Sequence, residues 1–258
     1  MPSNYAHYRF GNLVLNSLEP EMRSPISRFR RIFDVGLHGP DLLFYYNPFW
    51  KNASGQLGSQ LHRKTGREFF TAACATLKQT PSETGAIYLF GLLAHYCLDS
   101  LCHPYVIQQD KDGQVRHSEL ETDFDRYLLR LDGKIPPHLQ CVNEHMHLTP
   151  GECVTVSQFL TPATPAQIKA SIRNMRVHTK LLSHKKRALL EAILKLTNQN
   201  VRDHVMMTKP NPRCEKHNPE LMALYNTALE RYPGMLQQLV SHINDNTPLG
   251  EEFDPVFG

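Results

Sequence analysis

The chain has 258 residues, of which 41% are apolar and 21% charged, with a net charge of +3. That length supports a substantial core in one large domain or two small ones, and the composition is that of a soluble globular protein. So small a charge gives no argument for an acidic membrane as partner, and it weighs against nucleic acid, whose phosphates reward strongly basic surfaces.

Helical signals dominate and no run alternates with period two. The class is therefore read as all-α: a single multi-helix domain over residues 1–245, followed by a polar C-terminal tail at 246–258. The opening, MPSNYAHYRFGNLVL, lacks the basic start, apolar run and small-residue cleavage site of a signal peptide, which points to a cytoplasmic protein. Helices are expected at 23–33 and around 58–77. The next, TPSETGAIYLFGLLAHYCLDSLC, begins with the signature of a capping box: Thr80 as N-cap, Pro81 as first helical residue, Glu83 reaching back. Its apolar stretch, 85–107, is long enough to cross a bilayer, but His95, Asp99 and His103 interrupt it, which argues against a span.

A further helix is expected at 118–131. RLDGKIPPHLQ reads as a loop, and the adjoining HLQCVNEHMH carries His138, Cys141, His145 and His147 at the irregular spacing of an exposed segment. TPAQIKASIRNM repeats the capping device with Thr164, Pro165 and Gln167, and another helix is expected at 185–204. After the loop MTKPNPRCEKHNPE, Asn218 caps a helix that Pro233-Gly234 breaks or kinks before MLQQLVSHI resumes it. The tail NDNTPLGEEFDPVFG reads as mobile. The cysteines, Cys74, Cys97, Cys102, Cys141, Cys153 and Cys214, form no CxxC pair and read as free thiols. His178, His184, His204, His217 and His242 read as surface residues.

The polar interruption is the informative feature. His95, Asp99 and His103 are spaced by four and share one helix face, unless Pro104 turns His103 aside. His117 and Glu121 repeat the spacing, although Ser118 with Glu121 also fits a capping box that would leave His117 outside the helix. A single buried histidine is ordinarily a hydrogen-bonded core residue. A single HxxxE is ordinarily a surface pair worth a few tenths of a kcal/mol. Two His–carboxylate pairs in one 27-residue window, one of them inside an apolar helix, instead suit a divalent ion. Imidazole nitrogen and carboxylate oxygen are ordinary zinc ligands.

The ordered set resembles the zinc-dependent phospholipase C family of bacteria, distantly related to the single-strand-specific zinc nucleases of fungi and plants. The matching residues are His7 in NYAHYRFG, Asp41 in GLHGPDLLFYY and His62 in LGSQLHRKTG. His95 and Asp99 follow as HxxxD, then His103, then His117 with Glu121. The resemblance implies two or three metal ions. Asp41, His62, His95 and Asp99 would hold the first, and His103, His117 and Glu121 the second. Asp99 would bridge to a third that His7 also binds. In secreted members a mature N-terminal Trp completes that third site, whereas this chain begins Met1-Pro2-Ser3. His38, three residues before Asp41, is an alternative to His62 or a supporting group, and Trp50 reads as a packing or pocket residue.

Zinc is the implied metal, and the same ligands suit manganese or iron. The resemblance further implies a hydrolase of phosphodiesters, with phospholipid as the expected substrate, transient contact with a membrane surface, and Asp41 orienting or deprotonating the attacking water. Two other readings stand beside it: a nuclease or nucleotidase on the same scaffold, and a non-catalytic protein whose metals hold helices together for binding. The aromatic segment LLFYYNPFW suits plain core as well as it suits the two ligand readings, acyl chains or a stacked base, taken together.

Overall fold

A buried helix that is apolar on every side must be surrounded, and the fold is arranged around such a helix. The computed structural model describes residues 4–48, 50–183 and 203–258. Among the described residues there are α-helices and short 3-10 turns but no strand, so the chain is all-α. The expected helix at 185–204 lies almost wholly outside the described residues.

The helices are α1 (Asn4–Ser17), α2 (Pro20–Arg28), α3 (Arg30–Gly36), α4 (Ala53–His62), α5 (Gly66–Gln79) and α6 (Glu83–Lys111). They continue as α7 (His117–Leu131), α8 (Pro150–Phe159), α9 (Pro165–Leu182), α10 (Pro212–Glu215) and α11 (Asn218–Asp245). α6 is the central one. It packs most extensively on α3 and α11, with α1, α5, α7 and α8 also against it. Its length and composition would suit a bilayer, yet 78% of its apolar window is buried within the fold. α3 comes very close to it: a Cβ at Gly91 would lie 2.2 Å from the Phe33 carbonyl oxygen, so only glycine permits this approach.

Several local expectations change in the structure. The cap of α6 is Ser82, whose hydroxyl accepts from the Gly85 N–H at 3.2 Å. Thr80 instead closes α5, its hydroxyl donating to the Thr76 carbonyl, and Glu83 pairs with Arg28. The expected 23–33 helix is two helices that meet at Phe29, and the 58–77 helix is broken between α4 and α5. There Thr65 and Glu68 form a capping box that starts a new helix. Helices α1 and α8 were not among the expected elements.

Pro233 does not end α11, which runs on to Asp245. A proline inside a helix costs about 3 kcal/mol. Buried side chains on both sides of it, Leu221, Tyr225 and Tyr232 before and Met235, Leu236 and Leu239 after, outweigh that cost. Pro104 is likewise carried inside α6.

Residues 246–258, read as a mobile polar tail, are docked. Leu249, Phe253 and Phe257 are buried. The main chain runs beside the α4–α5 junction: Gly66 N–H donates to Pro255 O (3.0 Å), Phe257 N–H to Lys64 O (3.1 Å) and Gly258 N–H to His62 O (3.2 Å). Arg67 reaches the Gly250 carbonyl at 2.8 Å, and the Tyr96 hydroxyl donates to Pro255 O at 2.9 Å. All six cysteines are unpaired.

Candidate metal centre

α6 supplies the spine of the site. His95, Asp99 and His103 are all buried, and because the helix continues through Pro104, the three keep one face. The 3-10 turn Gly39–Tyr45 lies over that face and delivers Asp41. Gly39 makes this possible: its φ is +44°, and a Cβ there would lie 2.4 Å from His95 Cδ2. α1 contributes His7, the last residue of α4 is His62, and α7 contributes His117 and Glu121.

The side chains form two groups. In the first, Asp41 Oδ1 lies 2.8 Å from His62 Nε2, and Asp41 Oδ2 lies 3.7 Å from His95 Nε2. Asp99 Oδ2 lies 3.2 Å from His95 Nε2, and Asp99 Oδ1 lies 3.2 Å from His7 Nε2. The His7 and His95 rings stack at 4.5 Å. In the second group, Glu121 Oε1 sits 3.0 Å from His103 Nε2 and 2.9 Å from His117 Nε2. His103 Nδ1 and Asp99 Oδ2, 3.8 Å apart, link the two. One ligand atom from each of His7, Asp41, His95 and Asp99 lies within 4.8 Å of the others, and the same is true of His103, His117 and Glu121. A cavity of about 30 Å³, large enough for one water, is lined by residues of both groups: His7, Asp99, His103 and Glu121.

The first group fits a divalent ion better than its members fit each other, while in the second both imidazoles hydrogen-bond Glu121 Oε1 and leave Oε2 and His103 Nδ1 over. Both His95 nitrogens, Asp41 Oδ2, Asp99 Oδ2, Glu121 Oε2, His7 Nδ1 and His103 Nδ1 are buried without a hydrogen-bond partner. His95 and Asp99 approach closely but without hydrogen-bond alignment. A core rarely leaves so many polar atoms unpaired, because each costs free energy. His62 Nδ1 lies 2.7 Å from the Gly58 carbonyl, which leaves Nε2 to face Asp41. Metal-binding histidines are commonly held in this way.

The electrostatics agree with shared protons that an ion would displace. Burial pushes His95 down to about 4 despite Asp99 and Asp41 beside it. For His103 burial again opposes charge, but Asp99 and Glu121 prevail and lift it to about 10. His7 and His62 are raised against burial by Asp99 and Asp41 respectively. Burial likewise works against the charge on Asp99 and Glu121. Their histidine neighbours nevertheless hold both carboxyls well below the usual range.

The side chains the resemblance implies come together, although they fall into two groups by distance. His7 joins Asp41, His95 and Asp99 in one cluster, and His62 sits at its edge against Asp41. His38 is not in either group. It is buried beside His7, with ring centroids 6.5 Å apart, and stacks on His145 at 5.8 Å. α7 begins at His117, so Glu121 turns to the imidazoles and Glu119 accepts the Arg116 N–H instead.

Two surface expectations and one burial expectation are corrected. The His145 segment is partly buried: its ring stacks on Tyr8 at 3.9 Å, and Asn143 and Met146 are fully inside. His217 is buried and hydrogen-bonds the Tyr105 hydroxyl at 2.6 Å. Trp50, expected to pack or line a pocket, is 73% exposed.

Two residues of the docked segment reach the site without any motif to announce them. The Phe257 ring lies 6.4 Å from the His95 ring, and a Cβ at Gly258 would lie 1.6 Å from His103 Nδ1. The one hint is the spacing of Leu249, Phe253 and Phe257 by four.

A description of the zinc-dependent phospholipase C family matches residues 6–199, well over half of the chain, from α1 past α9. No curated protein and no solved structure matches the chain. The helical class, the buried histidine–carboxylate groups and this extended match agree, and the chain belongs to the zinc-dependent phospholipase C family.

Proposed function

We propose that this chain is a metal-dependent phosphodiester hydrolase of the phospholipase C kind, with phospholipid as its substrate class. The observation that carries the reading is the convergence of histidine nitrogens and carboxylate oxygens on two adjacent points, with several of those of the first group buried and unpaired. His7, Asp41, His95 and Asp99, with His62 beside them, would hold one ion, and His103, His117 and Glu121 another. Bound there, zinc supplies a Lewis acid that brings the pKa of a water towards about 7 and stabilises charge on phosphoryl oxygens.

The chain's own contribution is placement. Asp41 sits between His62 and His95 on a turn that overlies α6, where its carboxylate can orient a water and accept its proton. Gly58 and the α4 backbone hold the His62 ring, and His62 in turn holds Asp41. Trp50, exposed on the loop that follows the Asp41 turn, supports contact with a lipid surface, since tryptophan favours the membrane–water boundary.

The test has two parts. Elemental analysis of protein purified without chelator should find zinc, or manganese or iron, bound to it. Hydrolysis of phosphatidylcholine, bis-p-nitrophenyl phosphate and single-stranded DNA should then be compared. Preference for the DNA would favour the nuclease reading, and no turnover of any substrate by the metal-loaded protein would favour a purely structural metal. Asp41→Asn should keep the fold and lose about 10²-fold or more of the activity, the usual contribution of a positioned acid or base.

A further inference from the structure

α7 carries a third acid in register with its two candidate ligands. His117, Glu121 and Asp125 are spaced by four and share one helix face. Asp125 is buried and belongs to neither ligand group. Its two oxygens instead accept consecutive backbone N–H groups at the start of α1: Oδ2 from Tyr5 at 2.9 Å and Oδ1 from Ala6 at 2.7 Å. First-turn N–H groups have no partner inside their own helix, and a carboxylate is favoured there by the helix dipole.

His7 is the next residue. A clamp on two successive amides sets both the axial position of α1 and its rotation. A second contact reinforces it, because Asp132, just past the end of α7, accepts from the Tyr5 hydroxyl at 2.6 Å and from Arg9 Nε at 2.8 Å. The first turn of α1 is therefore tied to the same helix that presents His117 and Glu121. From that turn His7 Nε2 approaches Asp99 Oδ1 at 3.2 Å.

We propose that Asp125 is the positioning residue for His7: by clamping the first turn of α1 onto α7 it enables the His7–Asp41–His95–Asp99 group to hold an ion. The inference rests on the metal reading given under Proposed function. It adds a residue that acts through another rather than by coordination.

The experiment measures zinc retained per chain during dialysis against graded chelator, for wild type, Asp125→Asn, His7→Gln and the double variant. Wild type should release zinc in two steps. Asp125→Asn and His7→Gln should each weaken the same step by about ten-fold or more, the usual scale for loss of a group that orients a ligand. The step belonging to His103, His117 and Glu121 should remain. The double variant should be no weaker than His7→Gln alone, because the two act on one interaction. A merely structural Asp125 would give additive losses or none at a particular step. Unchanged release from Asp125→Asn, or a further loss in the double variant, overturns the positioning role and leaves the metal reading standing. Wild-type protein that takes up no zinc overturns the metal reading itself. Should Asp125→Asn fold poorly, Asp125→Glu keeps the charge while shifting the carboxylate by one methylene, and the same comparison with His7→Gln decides.

Discussion

Replacing Phe257 by alanine measures whether the segment after α11 belongs to the core. The ring is fully buried. Its centroid lies 4.8 Å from Tyr96, 5.2 Å from Phe69 and 6.0 Å from Phe70, so removing it deletes contacts with two helices and leaves a cavity between them. Truncating such a phenylalanine costs about 3–5 kcal/mol. In a domain of this size each kcal/mol moves the melting temperature by about 2–4 °C, so a drop of roughly 6–20 °C is expected. The assay is thermal or urea unfolding of wild type and Phe257→Ala, with both proteins stripped by the same chelator so that metal linkage does not mask the difference. A mobile polar tail would make the substitution neutral. A change below about 1 kcal/mol, well under the usual cost of truncating a buried phenylalanine, would refute the docked arrangement.

Chelation of the wild-type protein should lower its melting temperature, and added zinc should restore it, because an ion that binds only the folded state stabilises it by mass action; scanning calorimetry reads both. The pH dependence of the stripped protein follows from its shifted groups. His103 is raised to about 10, so its contribution is fully present below about pH 6.5 and is lost as pH rises through about 10. Asp99 and Glu121 are depressed, so theirs is present above their ordinary values near 4 and is lost as pH falls below them. Burial lowers His95 to about 4, so it withdraws stability as pH falls below about 6.5. Stability without metal should therefore peak near pH 6.5, and the stabilisation by zinc should be larger at pH 8 than at pH 6 as protons cease to compete; melts across that range check both. Glu121→Gln should keep the side-chain volume, remove the anion between His103 and His117, and abolish the zinc step of that group while leaving the other. Gly258→Val should disturb the His103 environment, because its Cβ would overlap the ring; the imidazole NMR signal of His103 should shift, and an unchanged signal would place the segment elsewhere.

What could be read from the chain was what local geometry decides. The four-residue spacing of His95, Asp99 and His103, and of His117 and Glu121, already puts each set on one helix face. An apolar run interrupted by such residues already argues for a partner. Tertiary packing decided the rest. Whether His62 or His38 meets Asp41 depends on how the turn at Gly39 overlies α6, and spacing alone leaves both in reach. His7 meets Asp99 across two helices, and Asp125, 118 positions along the chain from His7, accepts the N–H groups of the first turn of α1. The end of the chain reads as polar because acids and prolines surround its three buried apolar residues, and only the gap beside α5 and α6 gives Phe253 and Phe257 a place to go. Helical periodicity is written into neighbouring residues. The choice among distant partners is a sum of many small packing and hydrogen-bond terms that exist only once the chain has folded.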